Sequence, residues 1–144
     1  MTLEIVSMGL LSMLFNNLSR CESKKNISNH FKLVNPDVLV SWMHSITYVR
    51  NICAHHGRLW NRTLTLKPAL PKSTLGVWLS NKNINPDKIY AFLCCMLYLL
   101  KIINPKTQFS NRLHDLLAKY PDVNTHSMGF AKNWELEELW KKVD

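Results

Sequence analysis

The stretch Ile89–Leu100, I-Y-A-F-L-C-C-M-L-Y-L-L, is apolar at almost every position. It follows Asn85-Pro86-Asp87, which reads as a helix start because Pro suits the first turn and Asp complements the N-terminal dipole. As a helix the apolar run measures about 18 Å, well short of the ~20 residues a bilayer crossing needs. A helix without a polar face must be surrounded by the rest of its chain. The sequence therefore predicts a central helix over 88–103 with other elements packed around it.

The remaining segments suit that role. No strand-like alternation persists, and no Asn-Gly or Asp-Gly hairpin turn occurs. Leu3–Leu18 carries Ile5, Met8, Leu11, Leu14, Phe15 and Leu18 at helical spacing, and begins so close to Met1 that a truncated or internally started chain is expected. Positions 20–35 are polar and turn-rich and predict a loop with at most a short helical turn. Asn35-Pro36-Asp37 repeats the helix-start signal, and that helix is expected to run from about Asp37 into the high fifties. Thr63–Asn85, with Pro68, Pro71 and Gly76, predicts a long connection holding a short helical piece at Leu75–Leu79. Thr107–Tyr120 is a shorter amphipathic helix stopped by Pro121. The aromatic tail, with Met128, Phe130, Trp134, Leu139 and Trp140, should pack back onto the bundle. The expectation is all-α: a bundle of about four or five helices in one domain over 1–144.

Apolar residues at 47% argue against disorder. Eighteen Lys and Arg against ten Asp and Glu give a net charge of +8, which favours an anionic partner: RNA, DNA or an acidic protein. Cys21, Cys53, Cys94 and Cys95 form no disulfide framework and no zinc-type C-x-x-C pair. With no signal peptide and no membrane span, the expected location is cytoplasmic.

The chemically informative run is Tyr48 to Arg62, Y-V-R-N-I-C-A-H-H-G-R-L-W-N-R. On a helical wheel Asn51, His55, Arg58 and Arg62 form one polar stripe that continues backward to Thr47 and His44. Val49, Cys53, His56 and Trp60 fall on a different, mostly apolar face, so the spacing separates the two histidines and reads His56 as a core histidine bonded to backbone. An imidazole can move a proton to or from a ribose hydroxyl near neutral pH. A guanidinium grips phosphate oxygens and stays charged. Together they suit metal-free RNA cleavage by 2′-OH attack on the adjacent phosphate, a route closed to DNA. Arg50 and His55 stand about 140° apart on an ideal helix and would hardly meet within one, whereas two copies of the helix related by a two-fold axis could supply a composite site.

Arg50-Asn51-x-x-x-His55 resembles the R-x4-6-H motif of the HEPN superfamily. The longer string R-N-I-C-A-H-H-G-R-L-W-N-R resembles the signature of the Abi-like (AbiD/AbiF-type) abortive-infection proteins of bacterial phage defence. Ser7-Met8-Gly9-Leu10-Leu11-Ser12 with Phe15-Asn16-Asn17-Leu18, and Met128-Gly129-Phe130 with Trp134 and Trp140, are similar to two further segments of that family. One departure is Ala131, where the family carries Pro. The resemblance implies a HEPN-like bundle, a homodimer and a cofactor-free endoribonuclease whose Arg and His come from both protomers. It implies Arg50 and His55 as the catalytic pair, Asn51 as the polar residue orienting one of them, and His56 as support. Arg58, Asn61 and Arg62 would lie near the RNA. Family members are about twice this length, so the resemblance also implies that an N-terminal half is missing.

Other readings stand beside this one. The same basic face could hold a cognate small non-coding RNA without cutting it, or the chain could be a defective remnant. Cys53, His55 and His56 lie too close on one helix to face a single metal ion, so no metal site is expected. Cys94-Cys95 reads as a pair of buried thiols. The five Trp read as core and dimer aromatics, and Lys24-Lys25 and Lys141-Lys142 as solvated faces. Glu135, Glu137 and Glu138 form an acidic patch with no carboxylate site.

Overall fold

A computed structural model describes residues 7–19 and 21–142. Among these the chain is all-α, with five helices: α1 (Met8–Asn17), α2 (Glu22–His30), α3 (Pro36–Ala54), α4 (Ile89–Ile103) and α5 (Phe109–Lys119). Three short 3-10 turns follow, at His126–Met128, Trp134–Leu136 and Glu138–Trp140. The expected first-helix positions Leu3 and Ile5 lie outside the described residues.

Both Asn-Pro-Asp sequences fold the same way. The side-chain oxygen of Asn35 accepts from the Asp37 amide at 2.9 Å, and that of Asn85 accepts from the Asp87 amide at 2.9 Å. Asn35 is itself the N-cap of α3, whereas α4 begins only at Ile89, after Lys88. Helix α4 takes the expected central place, burying Tyr90, Ala91, Cys94, Cys95, Leu97 and Tyr98 among others. The tail packs back as its aromatics require: Phe130, Trp134, Leu139 and Trp140 are buried around Tyr90. Trp140 donates its indole N–H to the Cys94 sulfur at 3.3 Å. Burial pushes the Cys94 thiol up to about 12 and Cys95 well above its ordinary value, so both are protonated core residues.

Helix α1 lies on α3 through the segment Ser7-Met8-Gly9-Leu10-Leu11-Ser12. Ser7 caps the helix by accepting from the Leu10 amide, Ser12 is buried, and the missing side chain of Gly9 faces the Thr47 methyl group. An apolar groove of about 730 Å³ runs between α1, α2, α3 and α4, lined by Leu11, Leu14, Leu18, Phe31, Met43 and Leu99 among others.

Four expectations fail for local physical reasons. Positions 20–35 are not chiefly loop, because Glu22–His30 is helical. Its buried residues are polar, so hydrophobic periodicity does not reveal it. The ammonium of Lys24, expected in solvent, is buried and donates to the carbonyls of Asn16 and Leu18 at 3.0 and 3.2 Å, satisfying the C-terminal end of α1. Ser28 is buried too and donates to the Leu33 carbonyl at 2.8 Å. Leu75–Leu79 is not helical: Thr74 pairs with Leu33 in an isolated bridge, and the Leu75 amide donates to the Lys32 carbonyl at 2.9 Å. Gly76 lies against Tyr98, whose hydroxyl would stand 2.7 Å from an added Cβ, so a side chain there is excluded. Finally, α3 stops at Ala54 rather than in the high fifties.

Candidate functional site

The end of α3 shapes the site. His55 is its C-cap, and His56 adopts a left-handed conformation with φ 55°. The His56 amide donates to the Cys53 carbonyl at 3.0 Å and the Gly57 amide to the Ile52 carbonyl at 2.7 Å. This pair of bonds is a Schellman stop. An added Cβ on Gly57 would lie 2.7 Å from the Ile52 methyl and 2.9 Å from its carbonyl oxygen, so glycine is what lets the chain turn back here.

The wheel therefore applies only as far as Ala54. Val49 is buried as expected, but Cys53, His56 and Trp60 are exposed, and the reading of His56 as a core histidine is corrected. It occupies a position that tolerates few side chains, and its imidazole extends into solvent.

The turn nevertheless gathers part of the expected stripe. Residues past Gly57 fold back along α3, and a shallow concavity of about 300 Å³ is lined by Tyr48, Asn51, Ile52, His55, Gly57 and Arg62. Asn51, His55 and Arg62 thus meet, through chain reversal rather than helical continuation. No carboxylate lines the concavity. Arg50 is exposed on the adjoining face of α3 and donates to the Asn51 side-chain oxygen at 3.1 Å, so Asn51 links the Arg50 face to the His55 concavity. Arg58 leaves the stripe and stands over the exposed Trp60 ring, 5.9 Å from its centroid. Asn61, at φ 52°, turns the other way and accepts from the Lys88 ammonium at 3.0 Å. His44, at the far end of the predicted stripe, lines a separate shallow hollow with Ser41 and Lys67.

Two residues escaped the sequence reading. The Tyr48 hydroxyl accepts from Thr65 at 3.0 Å. That bond, with the Arg62 guanidinium beside it, lowers the Tyr48 phenol from its ordinary value of 10.0. Helical spacing could have found Tyr48, because it precedes Asn51 by three residues and His55 by seven. Thr65 carried no local signal, since the fold-back brings it there. Among the described residues no group of three or more His, Cys, Asp or Glu side chains is placed to hold a metal. No described helix is long and apolar enough to cross a membrane.

Comparison with known proteins bears on the N-terminal part of the chain. Residues 1–61 match the family model described as Abi-like protein. The matched region takes in α1, α2, α3 and the Schellman turn, less than half of the chain. Met128-Gly129-Phe130 and the C-terminal tryptophans lie beyond it. No curated protein and no solved structure matches the chain.

Proposed function

We propose that this chain is a HEPN-type endoribonuclease of a bacterial abortive-infection, phage-defence system, acting without a metal at a site shared by two copies. The observation that carries the reading is the fold-back after Gly57. It brings Arg62 into the lining of one concavity with His55 and Asn51, and Arg50 is hydrogen-bonded to Asn51.

The chemistry follows from those groups. A ribose 2′-oxygen attacks the adjacent phosphorus, forming the new P–O2′ bond, and the P–O5′ bond breaks. His55 takes the 2′-hydroxyl proton, and water gives a proton to the departing 5′-oxygen. Guanidinium groups hold the non-bridging oxygens as charge builds on the phosphorane. The products carry a 2′,3′-cyclic phosphate and a free 5′-hydroxyl. Arg62 can serve the His55 of its own copy. Arg50 does not line the concavity of its own His55, which favours its use by the second copy.

The test is cleavage of mixed cellular RNA in EDTA by the unsubstituted protein, by Arg50→Ala and by His55→Ala. Loss in both variants supports the reading. Co-expression of the two variants should restore part of the activity, because a mixed dimer contains one complete pair. Equal cleavage by all three proteins refutes the site. An observation favouring the second reading, an RNA-holding module, is the shallowness of the concavity, where Asn51, His55 and Arg62 are exposed. RNA binding that leaves RNA length unchanged would establish it.

A further inference from the structure

Beside the His55 concavity lies a second hollow, of about 720 Å³. Four stretches of chain meet there: the loop at Asn61, the 81–85 stretch, the start of α4 at Lys88, and the turn from His126 to Lys132. Asn61 and Arg62 are consecutive, and one lines this hollow while the other lines the His55 concavity. The volume falls within the ~300–1,000 Å³ of small-molecule sites.

The hollow is held in shape from several sides. Gly129 has φ 88°, and a Cβ there would lie 2.5 Å from the Lys88 Cβ, so glycine is needed for the turn to close on α4. The Glu137 carboxylate accepts from the Ser80 and Asn81 amides at 2.7 and 3.0 Å and pins the 81–85 stretch. This gives Glu137 a structural use within the acidic patch.

Its chemistry is one-sided. The carboxamide oxygen of Asn81 accepts from the Asn83 amide, that of Asn85 from the Asp87 amide, and that of Asn61 from the Lys88 ammonium. Because each partner is a donor, each carboxamide is fixed with its oxygen engaged and its NH2 group left to donate. Lys88 and Lys132 add further donors, and no carboxylate lines the hollow. A site rich in donors takes a ligand rich in acceptors. The exposed His126 ring adds a flat face suited to stacking.

We propose that this hollow binds a nucleotide of single-stranded RNA next to the scissile one. Lys88 and Lys132 hold its phosphate, His126 stacks on its base, and the asparagine NH2 groups meet base carbonyls. Uracil and guanine, which carry carbonyls, are preferred over adenine, which presents an amino donor. The inference rests on the ribonuclease reading for the adjacency of the two sites.

The test is fluorescence anisotropy on the full chain carrying His55→Ala, with labelled single-stranded oligouridylate and oligoadenylate. A second protein adds His126→Ala and Lys132→Ala, both at exposed positions, with circular dichroism to confirm folding. The parent should bind oligouridylate more tightly than oligoadenylate. The added substitutions should weaken oligouridylate binding about tenfold and lower the slope of log affinity against log salt by about 0.7, one phosphate's worth on a single strand. Unchanged affinity and slope, or no RNA binding by the parent, overturns the proposal. If the hollow passes while the unsubstituted protein cuts no RNA, the nuclease reading fails and the hollow stands. If RNA is cut and the added substitutions change nothing, the hollow alone fails.

Discussion

Replacing His56 by Gly and by Val separates backbone from side chain at the end of α3. Both substitutions delete the same imidazole, so any chemistry it supports is lost equally. Their effects on stability should be opposite. His56 has φ 55° and an exposed side chain, so little packing is lost with the ring. A left-handed residue with a Cβ carries about 1–2 kcal/mol of steric cost. Glycine removes that cost but adds freedom to the unfolded chain, which takes back about 0.4–1 kcal/mol. The net for His56→Gly is a gain of up to about 1.5 kcal/mol. A β-branched residue is a genuine outlier in this region, so His56→Val should lose about 1 kcal/mol or more. The pair should therefore differ by about 2 kcal/mol, or about 4–8 °C in Tm for a chain of this size. Urea and thermal unfolding followed by circular dichroism measure both. Equal stabilities, or a Gly variant below the Val variant, would refute the Schellman stop and the fold-back built on it.

Other outcomes follow from particular contacts. Lys24→Met keeps the side chain's length but removes two charge-assisted bonds to the end of α1, and should cost about 2 kcal/mol in urea unfolding. A loss below about 0.5 kcal/mol would mean that the buried ammonium does not hold α1 to α2. Gly129→Ala meets both a left-handed backbone and the Lys88 side chain, so a destabilisation of at least about 1 kcal/mol is expected, and an unchanged unfolding midpoint would contradict the close approach. In the native protein a thiol reagent should modify the exposed Cys21 and Cys53 and spare Cys94 and Cys95 until unfolding, and fast modification of all four would contradict the buried pair. Burial holds the Cys94 thiol at about 12 against an ordinary 9.0, so above pH 9 the unfolded chain loses a proton that the folded chain keeps. That contribution is complete below pH 9 and lost between about 9 and 12. The urea midpoint should accordingly fall between pH 8 and pH 10.5, and an equal or higher midpoint at pH 10.5 would contradict it.

Much of the fold is legible in the sequence where hydrophobic pattern and helix-start chemistry agree. The all-apolar run of α4 and the two Asn-Pro-Asp turns are cases in which local and global preferences coincide. Helix α2 is not legible, because its burial uses an ammonium and a hydroxyl whose partners, Asn16, Leu18 and Leu33, are supplied by neighbouring segments. The helix end at Ala54 was partly visible, since Gly57 is a breaker, but a stop that places a histidine in the left-handed position runs against the usual glycine rule. The wheel grouped Asn51, His55 and Arg62 correctly, yet through a helix that does not extend that far. It misplaced Arg58, which stands over Trp60 instead. Tyr48 lay on the correct helical spacing and lines the concavity, but its partner Thr65 is distant in sequence.

The most direct test of the central claim is the chemistry of the RNA ends. A defined single-stranded RNA is incubated in EDTA with the unsubstituted protein and with the His55→Ala and Arg50→Ala variants, and the fragments are resolved by mass. The account predicts 2′,3′-cyclic phosphate and 5′-hydroxyl ends from the unsubstituted protein, none from either variant, and no cutting of the matching DNA. Intact RNA throughout, cleavage that EDTA abolishes, or ends bearing a 5′-phosphate would contradict it.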